Sequence, residues 1–536
     1  MTLLMADANV TADLLYQRED SKLIDEPSSS LLADMSLISP SVEAVRCLSI
    51  EDAEDDSSLC GDAFEGKNVD HPCCSTFGAL VAADITTATS PASHIRMVNA
   101  TESLHAYPKQ VFVLSEAGKP VYTRYVYAKY FLICTLILHQ VRYGSEEELS
   151  SFMGVIQALV SFVSSTSGKE ENADELISLE TGLYRLVFSR KPPLILCIVS
   201  RLGDSYSQLS RQLNCLYRYI LSVLTASQLR RIFDERKNFD LRRLLTGTER
   251  TMDRLICWAE KDFSLMLDAI LCLAMPSSLR ETFTHTLSTQ CAYSKSIVFA
   301  VILVNDQLVA MSCTKNHVLS PSDLHMLINL VASNPSFKDA ESWSPICLPT
   351  FDENSFLSAH ISYLSDDCPA CLLLLTSDKG AFFEMSDLRR RIIEKLNRTK
   401  ALAMLDEALT ERSAFNVLHL GIADLIHFIY KQRSRSQYTC TPMAAPYAGD
   451  SNFEAYLFGR YAAAHGYMHQ RTQMRNIYYC SATLECILGW ITPNFEVYAV
   501  FSPLTTKNEA ISRVENLMRW IKKEEINLLS LNVGVH

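Results

Sequence analysis

Residues 109–154 read KQVFVLSEAGKPVYTRYVYAKYFLICTLILHQVRYGSEEELSSFMG, and they decide the fold class. The runs KQVFVL and PVYTRY are short and rich in β-forming residues, and Gly118 in the SEAG segment between them can adopt a positive φ, so they predict a β-hairpin. Ser145 and Glu148 match the S-x-x-E capping box that marks the start of a helix. The predicted helix carries one apolar stripe: Leu149, Phe152, Met153, Ile156, Leu159, Val160 and Val163.

The order of elements that begins in this stretch occurs again. Strand patterns follow the first helix in ELISLE, LYRLVFS and LILCIVSRL, then a helix in SQLSRQLNCLYRYILSVLT and another from 227 to 245. A second hairpin is predicted around Asn305–Asp306, and Ser320 with Pro321 then predicts a helix start. Three strands and a helix near 381–397 complete the second set.

The C-terminal third repeats the pattern more loosely. DLIHFIYKQ and SQYTCTP predict paired strands, EAYLFGRYAAAHGYMH a helix, and RNIYYCSA, CILGWIT and EVYAVFS three further strands before a final amphipathic helix. The chain is therefore predicted to be an α+β protein with three modules at 108–247, 285–400 and 415–533. Each module should have an antiparallel sheet of about five strands flanked by helices, which is the longin/roadblock type of architecture.

Composition places the remaining residues in an acidic N-terminal arm. The 536 residues carry a net charge of −12, and residues 1–100 contain 17 acidic and 5 basic residues, so the rest of the chain is balanced. We predict that 1–107 is a disordered acidic region. Neither an acidic arm nor a charge-balanced remainder has the basic surface typical of nucleic-acid binding, so we expect no nucleic-acid partner. No apolar run reaches the roughly 18 residues of a membrane span, the N-terminus lacks a signal-peptide pattern, and the 17 cysteines have no regular spacing, so we expect a cytoplasmic protein without a transmembrane segment.

Motifs for covalent chemistry are missing from the sequence. It has no phosphate-binding G-x-x-x-x-G-K-[ST], dinucleotide-binding G-x-G-x-x-G after a strand, H-E-x-x-H or G-x-S-x-G. Cys368 and Cys371 form a C-x-x-C that opens a predicted strand, and we interpret them as ordinary thiols rather than a redox or zinc pair. His71-Pro-Cys-Cys74 is interpreted in the same way. We therefore expect no catalytic residue, no metal and no cofactor, and we do not expect an enzyme.

One basic cluster lies in the third module. Lys431, Arg433 and Arg435 are close in sequence, and Arg471 and Arg475 follow later. Such a cluster is a candidate for binding an anionic or phosphoinositide membrane surface, at about 1 kcal/mol per cation. A solvated strand edge is the alternative.

Long blocks of this sequence resemble the SAND family of vacuolar fusion proteins, the monensin-sensitivity proteins. The first module agrees in VLSEAGKPVYTRY and YGSEEELSSFMGVIQALVSFV, and the second in VFAVILVNDQLV, LSPSDLHMLINLVASNPSFKDAESWSPICLPTF and AHISYLSDDCPACLLLL. The third agrees in LGWITPNFEVYAVFSPLTTK and RWIKKEE. The resemblance covers about 108–533 and leaves out the first hundred residues.

The resemblance implies three longin domains and a heterodimer with a second tri-longin protein, of the calcium–caffeine–zinc sensitivity family. The resemblance also implies that the two together act as a guanine-nucleotide exchange factor for the late-endosomal Rab GTPase. They would be recruited by the early-endosomal Rab to endosome and lysosome or vacuole membranes, in support of endosome maturation, vacuole fusion and autophagy. A non-exchanging longin scaffold of a coat or tethering complex is the alternative. The candidate GTPase- or partner-binding residues in the first module are Ser115, Glu116, Gly118, Lys119, Tyr143, Gly144, Ser145, Glu146 and Gln157.

The first module departs from the family pattern at 125–141. In the family the Arg-Tyr that ends the second strand is followed directly by Gly-Ser-Glu, whereas here the 17 residues 125–141 stand between Arg124 and RYGSEEE. One hypothesis is a retained intron or gene-model error, because the codons for Arg124-Tyr125-Val126 can spell a splice donor and those for Val141-Arg142 an acceptor. The alternative is a genuine loop, although its apolar stretch Tyr130–Leu138 would be an aggregation hazard at a surface.

Overall fold

Three β-sheets, each flanked by helices, organise the chain in the computed structural model. The structure describes these residues: 108–126, 146–166, 175–315, 317–365, 368–413, 417–449, 451–469 and 476–536. The predicted N-terminal arm and most of the segment 125–141 lie outside the described residues. The sheets are mostly antiparallel, and the predicted fold class is confirmed.

The first module contains a five-stranded sheet in the order β2-β1-β5-β4-β3. Its elements are β1 Lys109–Ser115, β2 Pro120–Val126, α1 Glu146–Thr166, β3 Ser178–Glu180, β4 Arg185–Lys191, β5 Leu194–Ser200 and α2 Tyr206–Leu224. All seven residues of β1 are buried. Because side chains alternate along a strand, Phe112 and Leu114 pack in one cluster with Met153 of α1, whereas Val111 packs in another with Leu213 of α2. The sheet is therefore covered on both faces.

Helix α1 has a second apolar stripe that does not face the sheet. Met153 and Ile156 are buried as predicted, but Leu159 is 36% exposed, and Val155 and Phe162 are 53% and 69% exposed. The prediction that Leu159 lies in the core-facing stripe is therefore wrong, because this residue shares the outer side of the helix with positions 155 and 162. We call Val155, Leu159 and Phe162 the α1 outer stripe.

The segment after α2 is broken into short elements. It contains α3 Ala226–Glu235, α4 Arg242–Leu245, α5 Glu249–Ala259, α6 Phe263–Leu267 and β6 Ile270–Leu271. The helical region predicted from 227 to 245 therefore consists of two helices, α3 and α4, separated by a non-helical stretch. The backbone of Arg236 leaves helical geometry, and Asp240 accepts a hydrogen bond from the Arg242 N–H at 3.1 Å, which starts a new turn.

The second module has a six-stranded sheet in the order β17-β8-β7-β11-β10-β9, in which β17 is Gly534–Val535 near the end of the chain. Its elements are α7 Ser277–Cys291, β7 Ile297–Val304, β8 Gln307–Cys313, α8 Pro321–Ser333, a 3-10 turn Pro335–Lys338, β9 Ser342–Leu348, β10 Asp352–Tyr363, β11 Ala370–Thr376, α9 Phe382–Arg398 and α10 Ala401–Ser413. The predicted hairpin is confirmed, with φ of +46° and +67° at Asn305 and Asp306. The Ser320 hydroxyl accepts a hydrogen bond from the Asp323 N–H, so the predicted helix cap is also confirmed.

The third module also has six strands, in the order β14-β15-β16-β12-β13-β6. Its elements are a 3-10 turn Val417–Leu420, β12 Leu425–Gln432, β13 Gln437–Cys440, α11 Ser451–Met468, β14 Ile477–Ser481, β15 Cys486–Ile491, β16 Phe495–Phe501 and α12 Lys507–Leu528, with β17 Gly534–Val535 at the end. In α12 the side chains of Val514, Leu517 and Ile521 are fully buried, as expected for the predicted amphipathic helix. Within the described ranges, no helix combines the length and the hydrophobicity of a membrane span.

Two sheets thus gain a strand from outside their own module. Strand β6 pairs in parallel with β13 of the third sheet, and β17 pairs in parallel with β8 of the second sheet. Both strands are two residues long, so they have no periodic pattern that the sequence analysis could detect. The prediction of five strands is one short for each of these sheets.

Candidate functional site

The loop between β1 and β2 is fixed by its own backbone. The Ser115 N–H donates to the Lys119 carbonyl at 2.9 Å, and the Gly118 N–H donates to the Ser115 carbonyl at 2.8 Å. The Glu116 N–H donates to the Pro193 carbonyl at 2.9 Å, which ties the loop to the turn between β4 and β5. The loop therefore presents Glu116 and Lys119, both exposed, from a rigid base.

Gly118 allows this loop to lie against α1. Its φ is +78°, and a Cβ atom there would lie 2.4 Å from Oε1 of Gln157. Nε2 of Gln157 donates a hydrogen bond to the Glu116 carbonyl at 2.6 Å. The structure thus brings together Glu116, Gly118, Lys119 and Gln157, four of the residues that the sequence analysis named.

Two further residues complete this hairpin site, and the sequence analysis missed both. Oε1 of Glu116 accepts hydrogen bonds from Arg190 on β4, at 3.0 Å from Nη2 and 3.2 Å from Nε. Nζ of Lys119 donates to the carbonyl of Asn238 at 2.7 Å. No local pattern points to Arg190 or Asn238, because they lie 74 and 119 positions away from their partners. We call Glu116, Lys119, Gln157, Arg190 and Asn238 the hairpin site.

The other predicted residues have different positions. Ser115 is buried, and its hydroxyl accepts a hydrogen bond from the Lys119 N–H at 3.2 Å, so its side chain stabilises the loop from inside. Tyr143, Gly144 and Ser145 lie outside the described residues. Glu146 is the first residue of α1. The structure therefore describes the hairpin site at the β1–β2 loop and at the middle of α1, but not at the segment before α1.

A buried ionic network lies at the far end of β1. Nζ of Lys109, which is fully buried, is 3.2 Å from Asp204 and 3.3 Å from Glu260. Burial opposes the charged form of Lys109, but the two carboxylates outweigh it and raise the pKa of this lysine. On the neighbouring strand the Tyr122 hydroxyl donates to Asp253 at 2.7 Å, and burial raises the pKa of Tyr122 well above its usual value. These pairs attach α5 to the first sheet.

The basic cluster of the third module is largely engaged within the protein. Nζ of Lys431 donates to the Leu267 carbonyl at 2.6 Å and lies 3.4 Å from Oε1 of Glu496. Arg433 donates from Nη1 to the Thr492 carbonyl at 2.9 Å, and its Nε lies 3.5 Å from the same carboxylate oxygen. The side chain of Arg435 is exposed. Arg471 and Arg475 lie outside the described residues.

The C-x-x-C cysteines are buried thiols. Burial raises the pKa of Cys368 to about 11 and that of Cys371 to about 12, so both are protonated at neutral pH. A neutral thiol is a poor nucleophile and a poor metal ligand. The arrangement agrees with the interpretation as ordinary thiols. His71-Pro-Cys-Cys74 lies outside the described residues.

Comparison with protein families assigns all three modules. Residues 109–255, 295–394 and 424–525 match the first, second and third longin domains of FUZ, MON1 and HPS1. Together these matches cover more than half of the chain. Among solved structures, the similarity to the bacteriophytochrome RpBphP3 of R. palustris has a TM-score of 0.14 at 7% identity over 78% of this chain and 96% of that chain, which carries no argument about the fold.

Comparison with individual proteins supports the same assignment as the domain matches. The chain is 42% identical over 434 residues to human vacuolar fusion protein MON1 homolog A, covering 81% of this chain and 62% of that protein's length. It is 41% identical to the same homolog from Macaca fascicularis, covering 81% of this chain and 73% of the relative. It is 39% identical to Protein SAND of Takifugu rubripes, covering 81% and 78%. The chain therefore belongs to the MON1/SAND family of vacuolar fusion proteins, and it carries the three longin domains of that family.

Proposed function

We propose that this chain is one subunit of a heterodimeric guanine-nucleotide exchange factor for the late-endosomal Rab GTPase. Membership of the MON1/SAND family supports a role in membrane trafficking, and the hairpin site is the observation that carries the finer proposal. That site offers an acidic and a basic side chain, Glu116 and Lys119, on a loop with a fixed backbone. A rigid loop with exposed charges of both signs is suited to contacting the switch segments of a GTPase.

Nucleotide exchange needs binding rather than covalent chemistry. A GTPase holds guanine nucleotide and Mg²⁺ with its switch loops. An exchange factor accelerates release by binding the nucleotide-free form better than the loaded form, and only this difference in affinity shifts the equilibrium. In this proposal the hairpin site contributes part of the difference, because ordering it costs little conformational entropy when its contacts are already formed.

The second tri-longin protein is proposed to dock on the first module. The α1 outer stripe supports this assignment, because Val155, Leu159 and Phe162 place apolar surface on one exposed side of a helix. Exposed apolar surface of this kind marks interaction sites. The stripe lies on the same helix as Gln157. A partner bound to the stripe would therefore lie beside the hairpin site, where both would contact the same GTPase.

Membrane recruitment is part of the same proposal. The early-endosomal Rab and an anionic or phosphoinositide surface would bring the heterodimer to endosomes and lysosomes. Among the described residues of the basic cluster, we expect Arg435 to contact the lipid, because Lys431 and Arg433 are paired with Glu496. Replacing Arg435 alone should then weaken vesicle binding more than replacing Lys431.

The decisive experiment measures GDP release. The double variant Glu116→Ala with Lys119→Ala, co-expressed with the second tri-longin protein, should release fluorescent GDP from the late-endosomal Rab about tenfold more slowly than the original chain. This corresponds to about 1.4 kcal/mol of lost differential binding. Heterodimer formation should be retained, because neither residue belongs to the α1 outer stripe.

A matched control removes one acid and one base elsewhere. Asp387 and Arg390 form an exposed ion pair on α9, and replacing both with alanine leaves the net charge and the hairpin site unchanged. This control should exchange at the original rate. If the hairpin variant also exchanges at the original rate while folded and dimeric, the hairpin site has no role in exchange. If the unaltered heterodimer does not accelerate release at all, the scaffold alternative replaces the proposal.

A further inference from the structure

Two histidines and a glutamate converge inside the third module. His465 lies on α11 and His469 directly after it, one turn further on, and their rings stack with centroids 4.1 Å apart. Glu496 on β16 faces them, and its Oε2 lies 3.1 Å from Nε2 of His469. One nitrogen from each ring and one carboxylate oxygen all lie within 4.8 Å of one another. The i, i+4 spacing on a helix is what places both rings on one side.

His465 is buried within this arrangement. It is 3% exposed, and its ring stacks on that of His469. A buried polar group without a partner is costly, and native proteins usually satisfy it with a protein group, a water or an ion. One of its nitrogens lies on the side where His469 and Glu496 converge, within 4.8 Å of a ligand atom of each.

The two oxygen atoms of the Glu496 carboxylate have different neighbours. Lys431 and Arg433 lie near Oε1, at 3.4 and 3.5 Å, whereas His469 lies near Oε2. The two cations therefore contact one carboxylate oxygen, whereas His469 and the Tyr498 hydroxyl, at 3.4 Å, contact the other. Groups that hold a ligating carboxylate from behind are common around metal ions, because they fix the orientation of the ligand.

We propose that His465, His469 and Glu496 bind one Zn²⁺ ion. Two imidazole nitrogens and one carboxylate oxygen form a donor set that Zn²⁺ accepts, with a water molecule in the fourth position. A single carboxylate with two nitrogens does not suit Mg²⁺ or Ca²⁺, which prefer oxygen ligands. His469 is 25% exposed at its side chain, which leaves an entry path for the ion.

The geometry requires the imidazoles to rotate, because stacked rings with centroids 4.1 Å apart do not direct their nitrogens at one point. With bonds of about 2.0–2.1 Å, tetrahedral ligand atoms lie roughly 3.3 Å apart. The contact between His469 and Glu496 already has this spacing, and the wider separations, up to 4.8 Å, would close through rotation of the His465 ring or of His469, which lies beyond the end of α11. Lys431 keeps its hydrogen bond to the Leu267 carbonyl if the carboxylate shifts. A bound ion would join α11 to the centre of the third sheet.

Zinc titration of the full chain tests the proposal. The protein is freed of metal with a chelator, and Zn²⁺ alone is titrated in competition with a chromophoric chelator, alongside thermal unfolding with and without Zn²⁺. We expect one tight equivalent that raises the unfolding temperature. His469→Gln and Glu496→Gln should each weaken this equivalent by at least about tenfold and abolish the temperature shift.

The control separates this site from the many other zinc-binding side chains of the sequence. His285 is exposed on α7, and His285→Gln removes a histidine without touching the site, so it should bind Zn²⁺ as the original chain does. Equal zinc affinity in all four proteins would place the ion elsewhere, for example on cysteines, and would overturn the proposal. The absence of a tight equivalent in the original chain would overturn it without reference to any variant.

Discussion

At the scale of single residues, Gly118 sets the conformation of the hairpin site. Its φ of +78° is unfavourable for any residue with a Cβ, and a Cβ would also collide with Gln157. We predict that Gly118→Ala destabilises the first module by roughly 1–3 kcal/mol and displaces the Gln157 amide. Urea unfolding of the full chain measures the loss, and GDP release should slow as the loop moves.

A second glycine provides the matched control. Gly154 lies in α1, is exposed, and an added Cβ would meet no atom within 4 Å. Gly154→Ala should therefore stabilise the helix by up to about 1 kcal/mol. If both substitutions had the same effect on stability, the positive φ and the contact with Gln157 would not explain the role of Gly118.

His427 on β12 makes stability depend on pH. Burial lowers the pKa of this imidazole from 6.5 to about 4, against a smaller opposing effect of a hydrogen bond at Thr441. The unfolded chain takes up the proton near pH 6.5, and the folded chain only near pH 4. The stabilisation is therefore complete above pH 6.5 and is lost as the pH falls towards 4, with about 2 kcal/mol lost by pH 5.

Replacing His427 tests this dependence directly. Nδ1 of His427 lies 2.7 Å from the Tyr461 hydroxyl, and an asparagine side chain can keep that contact. We expect His427→Asn to show a smaller decrease in the free energy of unfolding between pH 7 and pH 5 than the original chain. His285→Asn, at an exposed position, should keep the full decrease. An unchanged pH dependence in the first variant would contradict the assignment.

The sequence predicted the residues of the hairpin loop but not the contacts that they make. Gly118 was predictable, because a glycine between two β-rich runs marks a turn. Gln157 was named for its place on the helix, yet its contact with the Glu116 carbonyl depends on how α1 lies on the sheet. Arg190 and Asn238 depend on the pairing of distant strands and on an irregular segment, and neither leaves a local pattern.

At the scale of secondary-structure elements, length decides what the sequence can predict. Strands such as β7 and β11 and helices such as α8 and α12 have a period or a cap, and they were found. The two-residue strands β6 and β17 have neither. The apolar residues of α1 form two stripes, and periodicity alone could not tell which positions face the sheet and which remain exposed.

The joint between β2 and α1 carries an element-scale prediction. Tyr125 and Val126 pair with Gln110 and Lys109 at the end of β2. Deleting 125–142 would place Tyr143 directly after Arg124, so a tyrosine would again stand opposite Gln110. Sheet-to-helix connections are usually about two to six residues long. We expect the shortened chain to be at least as stable and to exchange nucleotide at least as fast.

Two measurements decide between the hypotheses for this segment. Messenger RNA sequence across codons 120–146 shows whether the residues are translated. GDP release shows whether they matter, because a longer loop costs only about 0.6 kcal/mol per doubling of its length and should not affect the fold strongly. A transcript that encodes the segment, together with loss of exchange on its deletion, would establish a genuine functional loop.

At the scale of the whole molecule, the second and third modules share buried contacts. Strand β6 precedes the second module yet completes the third sheet, and β17 follows the third module yet completes the second. The buried Arg280 donates to the carbonyls of Val309, Leu273 and Asn527, and so joins α7 and β8 of the second module to the end of α12. These contacts predict that the second and third modules unfold together, because neither sheet is complete alone.

Ile270 on β6 gives the sharpest test of this coupling. Its N–H donates to the Ser436 carbonyl at 2.8 Å, and its side chain is buried. Ile270→Pro removes the donor and leaves the carbonyl unpaired, at a cost of roughly 3 kcal/mol. Ile270→Val keeps the N–H and most of the volume and should cost about 1 kcal/mol.

Hydrogen exchange should then become faster across β12 and β13 in the proline variant, although the substitution precedes the second module, and remain near the original rates in the valine variant. Faster exchange confined to 268–274 would show that β6 is a peripheral addition and that the third sheet is stable without it.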